Sequence, residues 1–497
     1  MRSEYLDVVI IGAGLSGIGS ACHLVRECPG KSYAILESRD AMGGTWDLFR
    51  YPGIRSDSDM HTLGFSFKPW KAEKAIADGP AILEYIRETA AENGVDEHIR
   101  YGHKVVSANW SSEDAAWTLG IELTGSGEAT TICCNVLHVC AGYYKYEQCY
   151  LPDFRGRDDF KGLIIDPQHW PEGLDYTGKR IVVIGSGATA MTIVPTVSKD
   201  AEKVVMLQRS PTYVISRPDK DIIANVLRKL LPDKAAYAIT RWKNVLLQQL
   251  LYSQSLRTPN KVKDRLIGWV RDALGPDYDV DTHFTPRYNP WEQRLCLVPN
   301  GDLFDAINSG KAEVVTDTID TFTESGVQLD SGRQLDADII VTATGLDLVV
   351  LGGAEFNVDG SRVDFGETFL YKGIMCSDVP NLLTTFGYLN ASWTLRADII
   401  AEFMCRLVNY MDEVGARYFV PRLRDSEQDM PQRAWIEGFS SGYIQRVLHK
   451  LPKQGDREPW LNPQNYRKDK KMYRGAEIED GVLTFEGKAL GEHRAAM

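Results

Sequence analysis

The sequence predicts an α/β chain with two strand–glycine turn–helix–strand units and a mainly helical insertion. Three observations carry that reading. An apolar run at residues 6–11 leads into Gly12-Ala-Gly14-Leu-Ser-Gly17. A second strand-like run at 180–184 leads into Gly185-Ser-Gly187-Ala188-Thr189-Ala190, 173 residues further on counting from Gly12 to Gly185. Between 219 and 275 the apolar positions recur at helical spacing instead.

Composition sets the bounds. A chain of 497 residues predicts about three domains of ordinary size, or two large ones. With 43% apolar and 25% charged residues it reads as a soluble globular protein. The net charge of −12 argues against a nucleic-acid partner, which requires a basic footprint. Nine cysteines without a CxxC pair read as reduced, buried thiols in a cytoplasmic protein. Their spacing offers no zinc site, so no metal is expected. Glu4 and Asp7 precede the first apolar run and glycines interrupt it, which favours a strand entering a turn over a signal peptide. No apolar stretch approaches the about 20 residues of a spanning helix.

Taken in order, residues 6–11 are continuously apolar, as suits a strand buried on both faces. A helix follows to about 26, then a strand at 32–36 ending at Glu37. Residues 100–142 read as a meander, with aromatic and β-branched residues among polar ones. The second unit runs from the strand at 180–184 through a helix to about 197 and a strand at 204–207, ending in Gln208-Arg209-Ser210. The stretch 219–275 holds eleven Lys or Arg against five Asp or Glu, so it is +6 inside a −12 chain. Its favoured reading is a helical cap packed on the body. The other is a lid or membrane-surface element, so weak membrane association stays open. A strand at 338–342 precedes Ala343-Thr344-Gly345, residues 401–411 read as helix, and the basic run 467–474 reads as a solvated, loosely held tail. The domains follow: 1–142 and 338–497 form the first, 143–218 and 291–337 the second, and 219–290 the insert.

The glycine turns carry the chemistry. Gly12, Gly14 and Gly17 permit a tight turn, close approach of a pyrophosphate and helix–strand packing, and the helix N-terminus offers free N–H groups to phosphate. Glu37, 20 residues after Gly17, suits the ribose hydroxyls of FAD or NAD and would repel a 2′-phosphate. Gly185, Gly187, Ala188 and Thr189 form the second turn. Arg209 and Ser210 stand where an NAD site would carry an acid, and they suit the 2′-phosphate of NADPH. Two Rossmann-like domains, one for FAD and one for NADPH, predict hydride transfer to a flavin. The adjacent Cys133 and Cys134 are poorly placed for a redox disulfide, so reaction with O2 is the better use of the reduced flavin.

The stretch Gly43-Gly44-Thr45-Trp46-Asp47-Leu48-Phe49-Arg50-Tyr51-Pro52-Gly53-Ile54-Arg55-Ser56-Asp57 fits the pattern [AG]GxWxxxx[FY]P[GM]xxxD throughout. A near match to FxGxxxHxxxW runs from Phe160 through Gly162 and Asp166 to Trp170. Together they resemble the class B flavoprotein monooxygenases of the Baeyer–Villiger type, over essentially the whole chain. The resemblance implies an FAD-containing, NADPH-dependent monooxygenase that uses a C4a-peroxyflavin to insert oxygen into ketones, giving esters or lactones, and that also oxidises thioethers. It implies that Arg294 is the active-site cation and Asp57 the acid that positions it. It places Gly44, Thr45, Trp46, Asp57, Gly345 and Trp393 around the cofactors, with Trp393 near the nicotinamide end. One departure is Asp166, where the pattern has histidine on the connection between the domains, with His169 three residues on. That replacement keeps two alternatives open: an S- or N-oxygenase, and an uncoupled NADPH oxidase.

Overall fold

A computed structural model describes residues 4–293, 295–475 and 477–487. The apolar run predicted as the first strand is Glu4–Ile11, with Val8, Val9 and Ile10 fully buried. Burying side chains of this size contributes about 1.5–3 kcal/mol each. This strand lies parallel between Tyr33–Leu36 and Ala129–Val139. The meander His103–Ser111, Ala116–Leu123 and Ala129–Val139 extends the same nine-stranded sheet by antiparallel pairing. Ile99–Arg100, and Glu355–Val358, Ser361–Arg362 and Leu382–Thr384 from the second half of the chain, complete it.

The second sheet is five-stranded and parallel, in the order Ala312–Thr316, Lys203–Gln208, Arg180–Ile184, Ile339–Thr342, Leu163–Ile165. This corrects the boundary read at 337/338. Ile339–Thr342 pairs with Arg180–Ile184 and Leu163–Ile165, so the chain returns to the first domain only after it. The two crossings between the sheets, Tyr144–Cys149 and Leu346–Leu348, pair antiparallel with each other.

The insert holds the short helix Val280–Phe284 and, before it, three longer ones: Ile222–Leu230, Asp233–Arg257 and Pro259–Leu274. The middle one is anchored to the first domain. Tyr237 donates to the Phe65 carbonyl at 3.0 Å, Arg241 pairs with buried Asp398 at 3.2 Å, and Asn244 donates to Asp59 at 2.9 Å. The last one packs on strand Val214–Arg217 and helix Asp302–Asn308 of the second domain. The insert thus spans both domains as a packed cap.

The basic run near the C-terminus is not a loose tail. Tyr466–Arg474 is a helix capped by Asn465 and packed on the helix Thr394–Val414. Asp469 and Tyr473 are buried, and Asp469 lies 3.3 Å from buried Arg396 while accepting from the Tyr388 hydroxyl at 2.7 Å. The lysines face solvent, and the side chains that hold the helix lie on its other face. All nine cysteines are free; eight are buried and Cys133 is half-buried.

Candidate active site

The first glycine turn forms one wall of a cavity of about 480 Å³. Gly12 has φ +99°, and a Cβ there would sit 2.7 Å from the Cys140 carbonyl. A Cβ at Gly17 would sit 1.8 Å from the Gly12 carbonyl, so Gly17 lets the helix lie on its own turn. The helix Leu15–Glu27 begins at Gly14 with no side-chain cap and no acid in its first turn. Elsewhere Asp78, Asp221 and Asn465 cap helix starts with their side chains. The uncapped N–H groups and the dipole at Gly14 suit a phosphate.

Glu37 closes one end of the cavity. It is buried, and its carboxylate accepts from the Ala13 N–H at 2.8 Å and the Arg39 N–H at 3.0 Å. A carboxylate accepts about four hydrogen bonds, which leaves capacity for ribose hydroxyls. Gly44, Thr45 and Trp46 line the cavity too, with Gly44 packed directly on Gly14, and Asp57, exposed, also lines it. Arg294 lies outside the described residues. Trp393 also lines this cavity; its indole N–H donates to Ser16 at 2.7 Å and its ring stacks on Tyr143 with centroids 5.3 Å apart. Gly345 is not among the lining residues. It has φ +109° and its carbonyl accepts from the Tyr150 N–H at 3.1 Å, at the junction between domains.

The second turn repeats the first. Gly185 has φ +139°, and a Cβ there would lie 2.1 Å from the Ala343 carbonyl. The helix Ala188–Val197 starts at Gly187, again without a side-chain cap. Gly187 and Ala188 are exposed, Thr189 is half-buried, and Arg209 and Ser210 are exposed at the neighbouring strand end. The Ser186 hydroxyl donates to the Ser210 carbonyl at 3.2 Å, tying the turn to that strand end.

The stretch 43–57 joins the two sites. Phe49 and Tyr51 are buried in the core of the second domain, and the Tyr51 hydroxyl bonds Thr189 beside the second turn. Burial pushes the Tyr51 phenol up to about 12, so it stays neutral. Arg55 pairs with Asp302 at 2.5 Å, adding a charged link between the domains. In the other fingerprint, Phe160 is buried and a Cβ at Gly162 would lie 2.4 Å from the Asp338 carbonyl. Asp166 caps the turn Pro167–His169 by accepting from the Gln168 N–H at 2.8 Å, and it lies 3.0 Å from His169 Nδ1. Trp170 packs against the second domain's core and Tyr176.

A profile of flavin-binding monooxygenase-like proteins matches residues 6–392. The FAD-containing monooxygenase EthA of Mycobacterium tuberculosis is 55% identical over 484 residues, covering 97% of this chain and 98% of its own. The chain belongs to the flavin-binding monooxygenase-like family. EthA of Mycolicibacterium smegmatis is 51% identical over 497 residues, covering 100% of this chain and 99% of its own. Among solved structures, OTEMO in complex with FAD and NADP is similar with a TM-score of 0.73 at 21% identity, covering 95% of this chain and 98% of that one. Steroid monooxygenase bound to NADP gives 0.71 at 23% identity, covering 84% and 88%. These likenesses show the fold.

In this flavin-binding monooxygenase-like chain, several site residues carried no motif signal. Ser16 and Tyr143 hold Trp393, and Tyr146 and Lys104 line the first cavity. Each is set by packing between segments far apart in sequence. A second, mostly apolar cavity of about 610 Å³ lies between the insert and the second domain, lined by Leu251, Trp269, Trp291 and Leu295 among others.

Proposed function

We propose that the chain is an NADPH-dependent FAD monooxygenase that inserts one oxygen atom from O2 into a ketone, giving an ester or lactone, and that also oxidises thioethers. The observation that carries it is the pair of uncapped, glycine-started helices, one facing a cavity closed by Glu37 and the other beside Arg209. The acid suits a free ribose and the arginine a ribose phosphate, so the two sites divide FAD and NADPH between them. When bound, FAD supplies hydride acceptance from NADPH and activation of O2.

The chain's own residues do the rest. The N–H groups at Gly14 bind the pyrophosphate of one nucleotide, and those at Gly187 bind the other. Trp46, Tyr146 and Trp393 wall the first cavity and exclude water from it. Arg294 supplies a fixed positive charge that keeps a reacting oxygen deprotonated, and Asp57 orients it. Trp291 and Leu295, flanking position 294, line the apolar second cavity, which supports a lipophilic substrate. The test is to incubate the FAD-loaded protein with NADPH, O2 and a panel of ketones and thioethers, following NADPH, peroxide and product together. Ester formation from ketones is expected. Sulfoxide with no ester would move the chain to S-oxygenation, and peroxide equal to NADPH with no product would make it an oxidase.

A further inference from the structure

We propose that the outer face of the insert docks on an anionic lipid bilayer. Among the described residues sixteen large apolar side chains are exposed, and eleven of them fall between 222 and 269. They are ordered. Ile222, Val226 and Leu230 recur every fourth residue along one helix, at 72, 48 and 73% exposure. Ile239, Trp242 and Leu250 form a second stripe on the next helix, at 46, 66 and 58%. A patch this concentrated is an interaction surface rather than the scatter normal on a soluble protein.

Folding does not need these side chains. The same helices are held to the body by Ala224, Ala236, Tyr237 and Arg241 on their buried sides.

Charge identifies the occupant. The stretch 219–275 is +6 in a chain of −12. Lys229, Lys234, Arg257 and Lys261 are exposed and make no ion pair among the described residues. Apolar stripes flanked by unpaired cations, with an exposed tryptophan, are the features of helices that lie in an anionic lipid interface. A second copy of the chain fits less well, because a symmetric dimer through this face would oppose two strongly basic surfaces. No helix among the described residues is long and apolar enough to cross a membrane, so the contact is peripheral. The six side chains of the two stripes line neither of the cavities described above, so the contact does not rest on the reaction proposed there.

The test is flotation of the full-length, FAD-loaded protein with vesicles of phosphatidylcholine alone or with about 30% phosphatidylglycerol. Binding to the anionic vesicles is expected, falling about tenfold or more near 0.5 M NaCl. Lys229→Glu with Lys234→Glu, both on exposed side chains, should cut that binding about tenfold. Ile222→Ser with Leu230→Ser should do the same. Melting temperature and NADPH oxidation in the absence of lipid should stay unchanged in both variants. Failure to bind anionic vesicles, or equal binding to neutral ones, would overturn the proposal. So would a concentration-dependent dimer that these substitutions disperse.

Discussion

In the proposed NADPH site, Arg209 is the residue on which nucleotide choice turns. It is exposed at the end of Lys203–Gln208, beside a helix start with no competing acid. A charge-assisted contact to phosphate contributes about 1.5–3 kcal/mol. Arg209→Ala should therefore raise KM for NADPH by about 10- to 100-fold and change KM for NADH by less than about threefold. Equal effects on both would remove the phosphate role. His23 offers a second residue-scale test, one of stability. Burial opposes its charge, but hydrogen bonding and attraction to Asp398 and Glu27 outweigh it, and its pKa rises from 6.5 to about 9. Its Nδ1 lies 2.8 Å from Glu27 and its Nε2 3.5 Å from Asp398. Because the folded value lies above the unfolded one, this contribution is complete below about 6.5 and disappears as pH rises through 9. Melting temperature should fall by about 3 °C or more between pH 7 and 10, and His23→Gln should flatten that fall. An unchanged slope in the variant would show that other groups set it.

At the scale of elements, the glycine turns were legible because local sterics and phosphate geometry demand particular residues at fixed spacing. The stretch 43–57 was legible as a pattern, but its structural work was not. Phe49, Tyr51 and Arg55 belong to the packing of the second domain, and nothing local in the sequence says so. The helix Tyr466–Arg474 shows the same limit more sharply. Its run of lysines and arginines reads as a solvated surface, while its burial is decided by Arg396, 73 residues before Asp469. Asp469→Ala would leave the Arg396 guanidinium buried beside tyrosines without its carboxylate. Losing one partner of a buried pair costs about 3–5 kcal/mol. Urea unfolding of the variant should show a loss of that size. A change below about 0.5 kcal/mol would mean that the helix is held by other contacts.

At the scale of the whole molecule, a mixed nine-stranded sheet and a parallel five-stranded one are joined by a pair of crossing strands and by a cap that touches both. The alternation of strands and helices around two glycine turns foretold the α/β fold class. The position of Ile339–Thr342 did not follow, because a buried parallel strand carries no label for the sheet it joins. The exposure of the insert's apolar face was equally hidden, since helical periodicity gives a stripe but not the direction it faces. The proposed reaction makes one central claim: NADPH supplies two electrons, one atom of O2 enters the ester and the other leaves as water. The most direct measurement is turnover of a ketone under 18O2 with NADPH consumption followed in parallel. The account predicts one labelled oxygen in the ester for each NADPH consumed. Unlabelled product, or peroxide accumulating in step with NADPH loss while the ketone is recovered intact, would contradict it.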